Sequence, residues 1–359
     1  MFILENIVRE NIKRLVPYSS ARKEFTGAAR IFLDANENSF GSPTEKNYHR
    51  YPDPLQWKLK EKIAEINPVK PSEIFIGNGS DEAIDLLFRI FCEPKNDNIL
   101  ICPPTYGMYE VSANINDVEI RRANLTKDFQ LDFEKINSEI NKNTKLLFIC
   151  SPNNPTGNSF RREEILSLTK SFNGIVVVDE AYIHFSNEKS LLDEINDFPN
   201  LVVLQTFSKA WGLAGLRVGL AFANQEIIAL FNKVKPPYNI SEIAQKAILD
   251  ALENQEKVEE TIQKIIYERE KLIENLSILS IVTKIYPTDA NFVLVKTVDA
   301  EKIYNFLLGE KIVVRNRNNV ELCEGCLRIT IGTPMENESL LSALKNVAHE
   351  IHEIYEKRF

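Results

Sequence analysis

Residues 174–208 read GIVVVDEAYIHFSNEKSLLDEINDFPNLVVLQTFS, and they decide the fold. Ile175 to Val178 and Leu201 to Leu204 are unbroken apolar runs, each too short for a buried helix and each ended by polar residues. A strand that reads apolar at every position is covered on both faces, the mark of a parallel sheet sandwiched between helices. The same punctuation recurs along the chain, in RIFLDAN (30–36), EIFIGNG (73–79), NILICPP (98–104), VEIRRA (118–123), TKLLFICSP (144–152) and RVGLAFAN (217–224). Between them lie helical patterns. Residues 53–66 set Leu55, Leu59, Ile63 and Ile66 on one face; residues 80–91 set Ile84, Leu87, Phe88 and Phe91 on another, after a Ser80 or Asp81 cap. The alternation predicts an α/β chain built on a mainly parallel sheet.

Past KPPYNIS (235–241) the pattern changes to a long helical stretch, about 241–277. Strands near 280–286, 291–296 and 326–332 follow, with helices around 299–309 and 336–356, which suits a smaller α+β domain. The division expected is an N-terminal segment, 1–35, joining the small domain; a large domain, 36–240; and the connecting helix with the small domain, 241–359. A cleft between two such domains is where a ligand usually sits.

Composition narrows the function. The chain has 359 residues, 44% apolar and 26% charged, and its net charge of -8 offers no basic stripe for a phosphate backbone. Nucleic acid is therefore a poor candidate partner, and none is expected. Glu5, Arg9, Glu10 and Lys13 interrupt the apolar residues of the N-terminus, so neither a signal peptide nor a membrane span is expected there, and a cytoplasmic location is. Of five cysteines, three lie in strand-like or apolar helical runs and read as reduced core thiols; the one CxxC, Cys323–Cys326, has no further ligands near enough for zinc. His349 and His352 share a face of a charged helix without matching HExxH, and no metal site is expected.

In an open parallel sheet, ligands bind beyond the carboxyl ends of the strands. Those ends present Gly77-Asn-Gly-Ser-Asp81, Tyr106, Ser151-Pro-Asn-Asn-Pro-Thr-Gly157, Asp179-Glu-Ala-Tyr182 and Ser208-Lys209. The amides of Ser80 and Asp81, opening a helix, suit an anion, though a plain capping turn reads equally well. Gly77-x-Gly79 lacks the third glycine of a dinucleotide fingerprint and no Walker lysine follows. Asp179 begins in a desolvated place and needs a donor or cation to stay charged; capping the next turn is the alternative. Lys209 poses the same problem with opposite sign. Desolvation would lower its pKa and suit it to a Schiff base, while a lysine snorkelling from a strand end remains the simpler reading of that residue alone. With Ser208, Gly212, Gly215 and the forked cation of Arg217 alongside, the set asks for a ligand carrying an aldehyde, a phosphate and a basic ring nitrogen. Pyridoxal 5'-phosphate has all three.

SPNNPTG (151–157), VVVDEAY (176–182) and SKAWGLAGLRVG (208–219), in this order, resemble the fold-type I pyridoxal-phosphate-dependent aminotransferases. Within that family LVPYSSAR (15–22), LDANENSFG (33–41), RYPDP (50–54), FIGNGSDEAID (75–85), VRNRNN (314–319) and CLRITIGT (326–333) are most similar to the branch acting on histidinol phosphate. The resemblance implies a seven-stranded sheet in the large domain and places the cofactor-bearing lysine at Lys209. It pairs Asp179 with the ring nitrogen, Asn154 and Tyr182 with the phenolic oxygen, and stacks Tyr106 on the ring. Gly79, Ser80, Asp81, Ser208 and Arg217 fall to the cofactor phosphate, with Tyr51 reaching it from the second subunit of a homodimer. Arg328, Arg315, Tyr18 and Asn36 fall to the substrate. The activity implied is amino transfer between histidinol phosphate and 2-oxoglutarate, in histidine biosynthesis. An aromatic amino acid aminotransferase or a phosphothreonine decarboxylase would keep the same core residues. A cofactor-sensing regulator would need a DNA-binding segment ahead of the sheet, which is expected to begin by about residue 30.

Overall fold

The structure is a computed structural model and describes residues 2–18 and 30–356; residues 19–22 of LVPYSSAR lie outside the described residues. Seven strands form the larger sheet: β1 (Ile74–Asn78), β2 (Asn98–Ile101), β3 (Glu119–Arg122), β4 (Thr144–Cys150), β5 (Ile175–Asp179), β6 (Leu201–Thr206) and β7 (Val218–Ala223). Their order is β1-β7-β6-β5-β4-β2-β3, and β7 alone runs against its neighbours. The continuous apolar runs are explained by two cores. Val176, Val178, Leu201 and Val203 pack into one, while Ile175, Val177, Val202 and Leu204 pack into the other. Period-two side chains thus fill both faces.

The smaller sheet is antiparallel, in the order β10-β11-β9-β8, from β8 (Val282–Ile285), β9 (Phe292–Thr297), β10 (Arg315–Asn316) and β11 (Cys326–Thr330). Helices Gln255–Ser277, Ala300–Gly309 and Pro334–Glu356 supply its core partners, around Leu272, Ile303, Leu307, Leu344 and Val347. The other face turns to the large sheet, where Leu294 and Cys326 join the core of Leu147 and Val203.

Four expectations are corrected. RIFLDAN forms no strand and the sheet begins at Ile74: Ile31 and Leu33 are 65% and 83% exposed, with no neighbouring strand to receive their alternation. The stretch 241–277 is two helices, Glu242–Leu252 and Gln255–Ser277. Asn254 parts them at φ -117°, ψ 37°, its side-chain amide donating to the carbonyl of Asp250, the competition with the backbone that makes asparagine a helix breaker. The N-terminal segment, expected to join the small domain, instead buries Val8 and Ile12 beside Phe88 and Phe91 in the larger core, with the amide of Arg9 on the carbonyl of Ile90. Finally, neither Ser80 nor Asp81 caps the Gly79–Phe91 helix, because that helix starts one residue earlier than expected.

Gly219, in β7, explains how this helix start meets the sheet. A Cβ there would lie 2.0 Å from the amide nitrogen of Ser80 and 2.2 Å from the carbonyl carbon of Gly79, both backbone atoms that cannot step aside. Gly219→Ala should therefore destabilise the chain by about 1–3 kcal/mol or more, the scale of core overpacking. Thermal unfolding checks this, and an unchanged midpoint would mean that strand and helix can part without cost.

Candidate active site

Because β7 is reversed, its first residues meet the carboxyl ends of β1, β4, β5 and β6 at one rim of the sheet. A cleft of about 560 Å³, open to solvent, lies there, and Gly79, Asp81, Tyr106, Asn154, Asp179 and Tyr182 line it together with Ser80, Ser208, Lys209 and Arg217. Strand ends that are remote in sequence are brought together by the topology.

The floor is Asp179, 3% exposed. Its carboxylate accepts from the hydroxyl of Tyr109 at 2.8 Å and from the amide of Ala181 at 3.1 Å. Burial nonetheless pushes its pKa up to about 6, outweighing those bonds. Tyr109 had no role in the sequence reading. It is fully buried and stacked on Phe148 at 4.6 Å, and the available signal was a tyrosine among apolar helix positions, whose hydroxyl needs a partner once buried.

Lys209 follows β6 in a tight turn. The Thr206 hydroxyl accepts from the amide of Ser208, and Gly212, at φ +66°, donates to the carbonyl of Lys209. The Lys209 Nζ lies 5.6 Å from the ring centroid of Tyr182. Burial, then the charge of Arg328, lowers the amine's pKa, with Asp179 opposing. Gly212 and Gly215 give room rather than close approach, since a Cβ on either meets nothing within 4 Å; the close approach is at Gly219.

At one end of the cleft stands an anion cradle. Gly79, at φ +70°, begins the helix, so the amides of Ser80 and Asp81 belong to the first turn, where backbone donors have no intrahelical acceptor. Arg217, itself at φ 54°, reaches over them, with Nη2 3.5 Å from Asp81 and Nη1 3.5 Å from the Ser208 hydroxyl. These are long contacts on a half-exposed guanidinium, which leaves it free to take a stronger anion. Tyr106 donates to Asp81 at 3.1 Å and meets Tyr109 edge-on.

At the other end Asn154 donates to the Tyr182 hydroxyl at 3.4 Å and accepts from Arg328 Nη1. Arg328 lies 5.1 Å over the ring of Phe292, and burial lowers its pKa. Arg315 is exposed and pairs in register with Arg328 across β10 and β11. Tyr18, Asn36 and Tyr51 are exposed, and none lines the cleft. Tyr51 stacks on Tyr238 at 4.5 Å, and its amide, like the guanidinium of Arg50, is bound by Glu37.

The residues present fit pyridoxal 5'-phosphate. Donors gather where a phosphate would sit, a buried carboxylate makes no ion pair among the described residues, and an amine of lowered pKa stands between. Comparison with known proteins agrees. A family model described as aminotransferase class I and II matches residues 32–344. The chain is 52% identical over 344 residues to a histidinol-phosphate aminotransferase of Cytophaga hutchinsonii, covering 96% of this chain and 99% of that one. Among solved structures it is similar to a histidinol-phosphate aminotransferase from Clostridium acetobutylicum, at TM-score 0.78 and 29% identity over 85% of this chain and 92% of the other. It also shares the fold of one from Sinorhizobium meliloti in complex with pyridoxal-5'-phosphate, at TM-score 0.78 and 24% identity over 88% and 90%. The chain belongs to the aminotransferase class I and II family, and its cofactor is pyridoxal 5'-phosphate.

Proposed function

We propose that the chain transfers an amino group between L-histidinol phosphate and 2-oxoglutarate, giving imidazole acetol phosphate and L-glutamate, in histidine biosynthesis. The observation that carries this reading is a cleft with the cation of Arg217 at one end and an amine of lowered pKa within it, while at the other end the lining residue Asn154 accepts from Arg328. One end suits the cofactor phosphate. The other suits a substrate anion.

When bound, the cofactor supplies a cationic ring that accepts the electron pair left on the substrate's Cα after deprotonation. Everything else falls to the chain. Asp179 would pair its carboxylate with the ring nitrogen, and Tyr109 fixes the orientation of that carboxylate. Gly79, Ser80, Asp81, Ser208 and Arg217 bind the phosphate, while Tyr106 covers the ring and Asn154 and Tyr182 donate to its oxygen. Lys209 would anchor the cofactor and then move a proton within each half-reaction, from the amino donor's Cα to the cofactor's C4' carbon in one and from C4' to Cα in the other. Its lowered pKa keeps more of the amine neutral at working pH, which a proton acceptor requires. Arg328, with Arg315, takes the substrate anion; glutamate offers a carboxylate and histidinol phosphate a phosphate, and a guanidinium fork accepts either. Tyr18 and Asn36 close over it.

The enzyme acts as a cytoplasmic homodimer in which Tyr51 reaches the partner subunit's cofactor phosphate. Its exposure and the exposed Phe40 and Trp57 on the same stretch of chain support a covered surface there. The large domain, 36–240, carries the cofactor, and the remainder, 241–359, supplies the arginines.

A half-reaction tests the function. The purified holoenzyme mixed with histidinol phosphate alone should lose its cofactor-aldehyde absorbance, and 2-oxoglutarate should restore it. Phenylalanine and phosphothreonine should act at least about tenfold more slowly, the scale of about 1.4 kcal/mol in discrimination. No change with histidinol phosphate, alongside bleaching by an aromatic amino acid, would overturn the assignment of substrate.

A further inference from the structure

We propose that Arg317 is a specificity-determining residue, a guanidinium placed beside Arg328 to bind the phosphate of a phosphorylated amine and of little consequence for a carboxylate. This rests on the function proposed above.

The placement follows from the ladder. Arg315 pairs with Arg328 and Asn316 with Leu327, and the amide of Arg317 carries the ladder one step on by donating to the carbonyl of Cys326 at 2.9 Å. Alternation then sets Arg315, Arg317, Cys326 and Arg328 on one face and Asn316 and Leu327 on the other. The surroundings agree with this division. Leu327 is in the core of the small sheet and Asn316 donates to Glu301 on the helix that covers it, whereas Cys326 packs with the core shared with the large sheet. The arginine face therefore turns to the cleft side.

Charge gives the second argument. Among the described residues none of these three guanidiniums makes an ion pair with a carboxylate, and the Nε atoms of both Arg317 and Arg328 are buried without a hydrogen-bond partner. The acidic residues between Arg317 and Arg328 are otherwise engaged, Glu321 with Asn124 and Glu324 with the amide of Leu322. Arg317 and Arg328 also sit close enough that the charge of one disfavours that of the other. Buried donors left unpaired beside like charges are costly, and an anion that meets both relieves the cost. A carboxylate carries one charge and is satisfied by one fork. A phosphate monoester carries about 1.5–2 charges near neutral pH and three acceptor oxygens, enough for two.

The test is kinetic, on holoenzyme carrying Arg317→Gln or Arg317→Lys, with each half-reaction followed separately. In R317Q the KM for histidinol phosphate should rise at least tenfold with kcat within about threefold, while the glutamate half-reaction changes less than about threefold; R317K should recover part of the loss. Inorganic phosphate, competing with glutamate on holoenzyme whose cofactor site is filled, should inhibit R317Q about tenfold more weakly than the unaltered enzyme. Equal losses for both substrates would mark a merely structural role, and unchanged constants would remove Arg317 from the site; either overturns the proposal. Should the unaltered enzyme refuse histidinol phosphate while phosphate still inhibits it and not R317Q, the substrate assignment falls and the role of Arg317 in phosphate binding stands.

Discussion

Lys209→Ala lowers the half-reaction with histidinol phosphate by more than about 10⁴-fold. A positioned general base alone is worth roughly 10²–10⁴-fold, and in the role proposed Lys209 also anchors the cofactor, so the two losses compound. The defect should be chemical rather than structural. Lys209 makes no ion pair among the described residues, and the ring of Tyr182 lies 5.6 Å from its Nζ. Thermal unfolding of the cofactor-free protein should therefore hardly move, and a small primary amine added in solution should restore part of the proton transfer. Lys209→Arg keeps the charge but not a titratable amine, and should be equally slow without rescue. Single-turnover absorbance measurements read all three variants. A residual rate within tenfold of the unaltered enzyme would mean that another group moves the proton.

The second large effect belongs to Asp179→Asn, where the loss should be about 10²–10³-fold, the scale of removing one preorganised electrostatic contact from an active site. Here pH separates the role from a structural one. Burial raises the carboxyl pKa to about 6 in the cofactor-free protein, so below that value Asp179 holds a proton and has no charge for a cationic ring. Cofactor affinity should fall by up to about tenfold per pH unit below 6, and the variant should lose this slope. Stability of the cofactor-free protein runs the other way. A folded pKa above the ordinary carboxyl value of 3.8 means stability that is full below about 3.8 and is lost as pH rises through about 6, about 3 kcal/mol at most. At pH 8 the cofactor-free variant should thus be at least as stable as the unaltered chain, since an amide can still accept from Tyr109. With cofactor bound the order should reverse. Denaturant titrations at pH 5 and 8, with and without cofactor, read both signs, and a variant less stable in every condition would make Asp179 a packing residue.

Much of this was legible in the sequence for a physical reason. Strands β1 to β7 were found to within a few residues because each is an apolar run closed by Gly, Pro, Asn or Asp, and a doubly covered sheet leaves that trace. RIFLDAN carries the same trace without the structure, since alternation records what a strand could bury and not whether a neighbour exists. The two-residue strand Arg315–Asn316 left no trace, being too short and polar for any period to show. In the site, Lys209, Asp179 and Arg217 announced themselves as charges at the ends of apolar runs. Tyr109 did not, because a buried tyrosine looks like any other aromatic until its hydroxyl is seen to have a partner. Arg317 stayed hidden for another reason. Its meaning comes from its register against Cys326, and register is a property of two strands.

The reversal of β7 has a consequence in time as well as in space. Gly79 and Arg217 form opposite walls of the phosphate cradle, yet 137 residues separate them and every other strand of the sheet lies between them in the chain. Contacts of such long sequence separation close slowly. As the chain is made, the half of the cradle at the start of the Gly79–Phe91 helix must wait for its counterpart until the last strand has emerged and slotted between β1 and β6. A polypeptide that stops short of Arg217 has the helix, the floor and the lysine but no second wall to complete the cradle. The cradle is thus complete only in chains whose sheet has been closed.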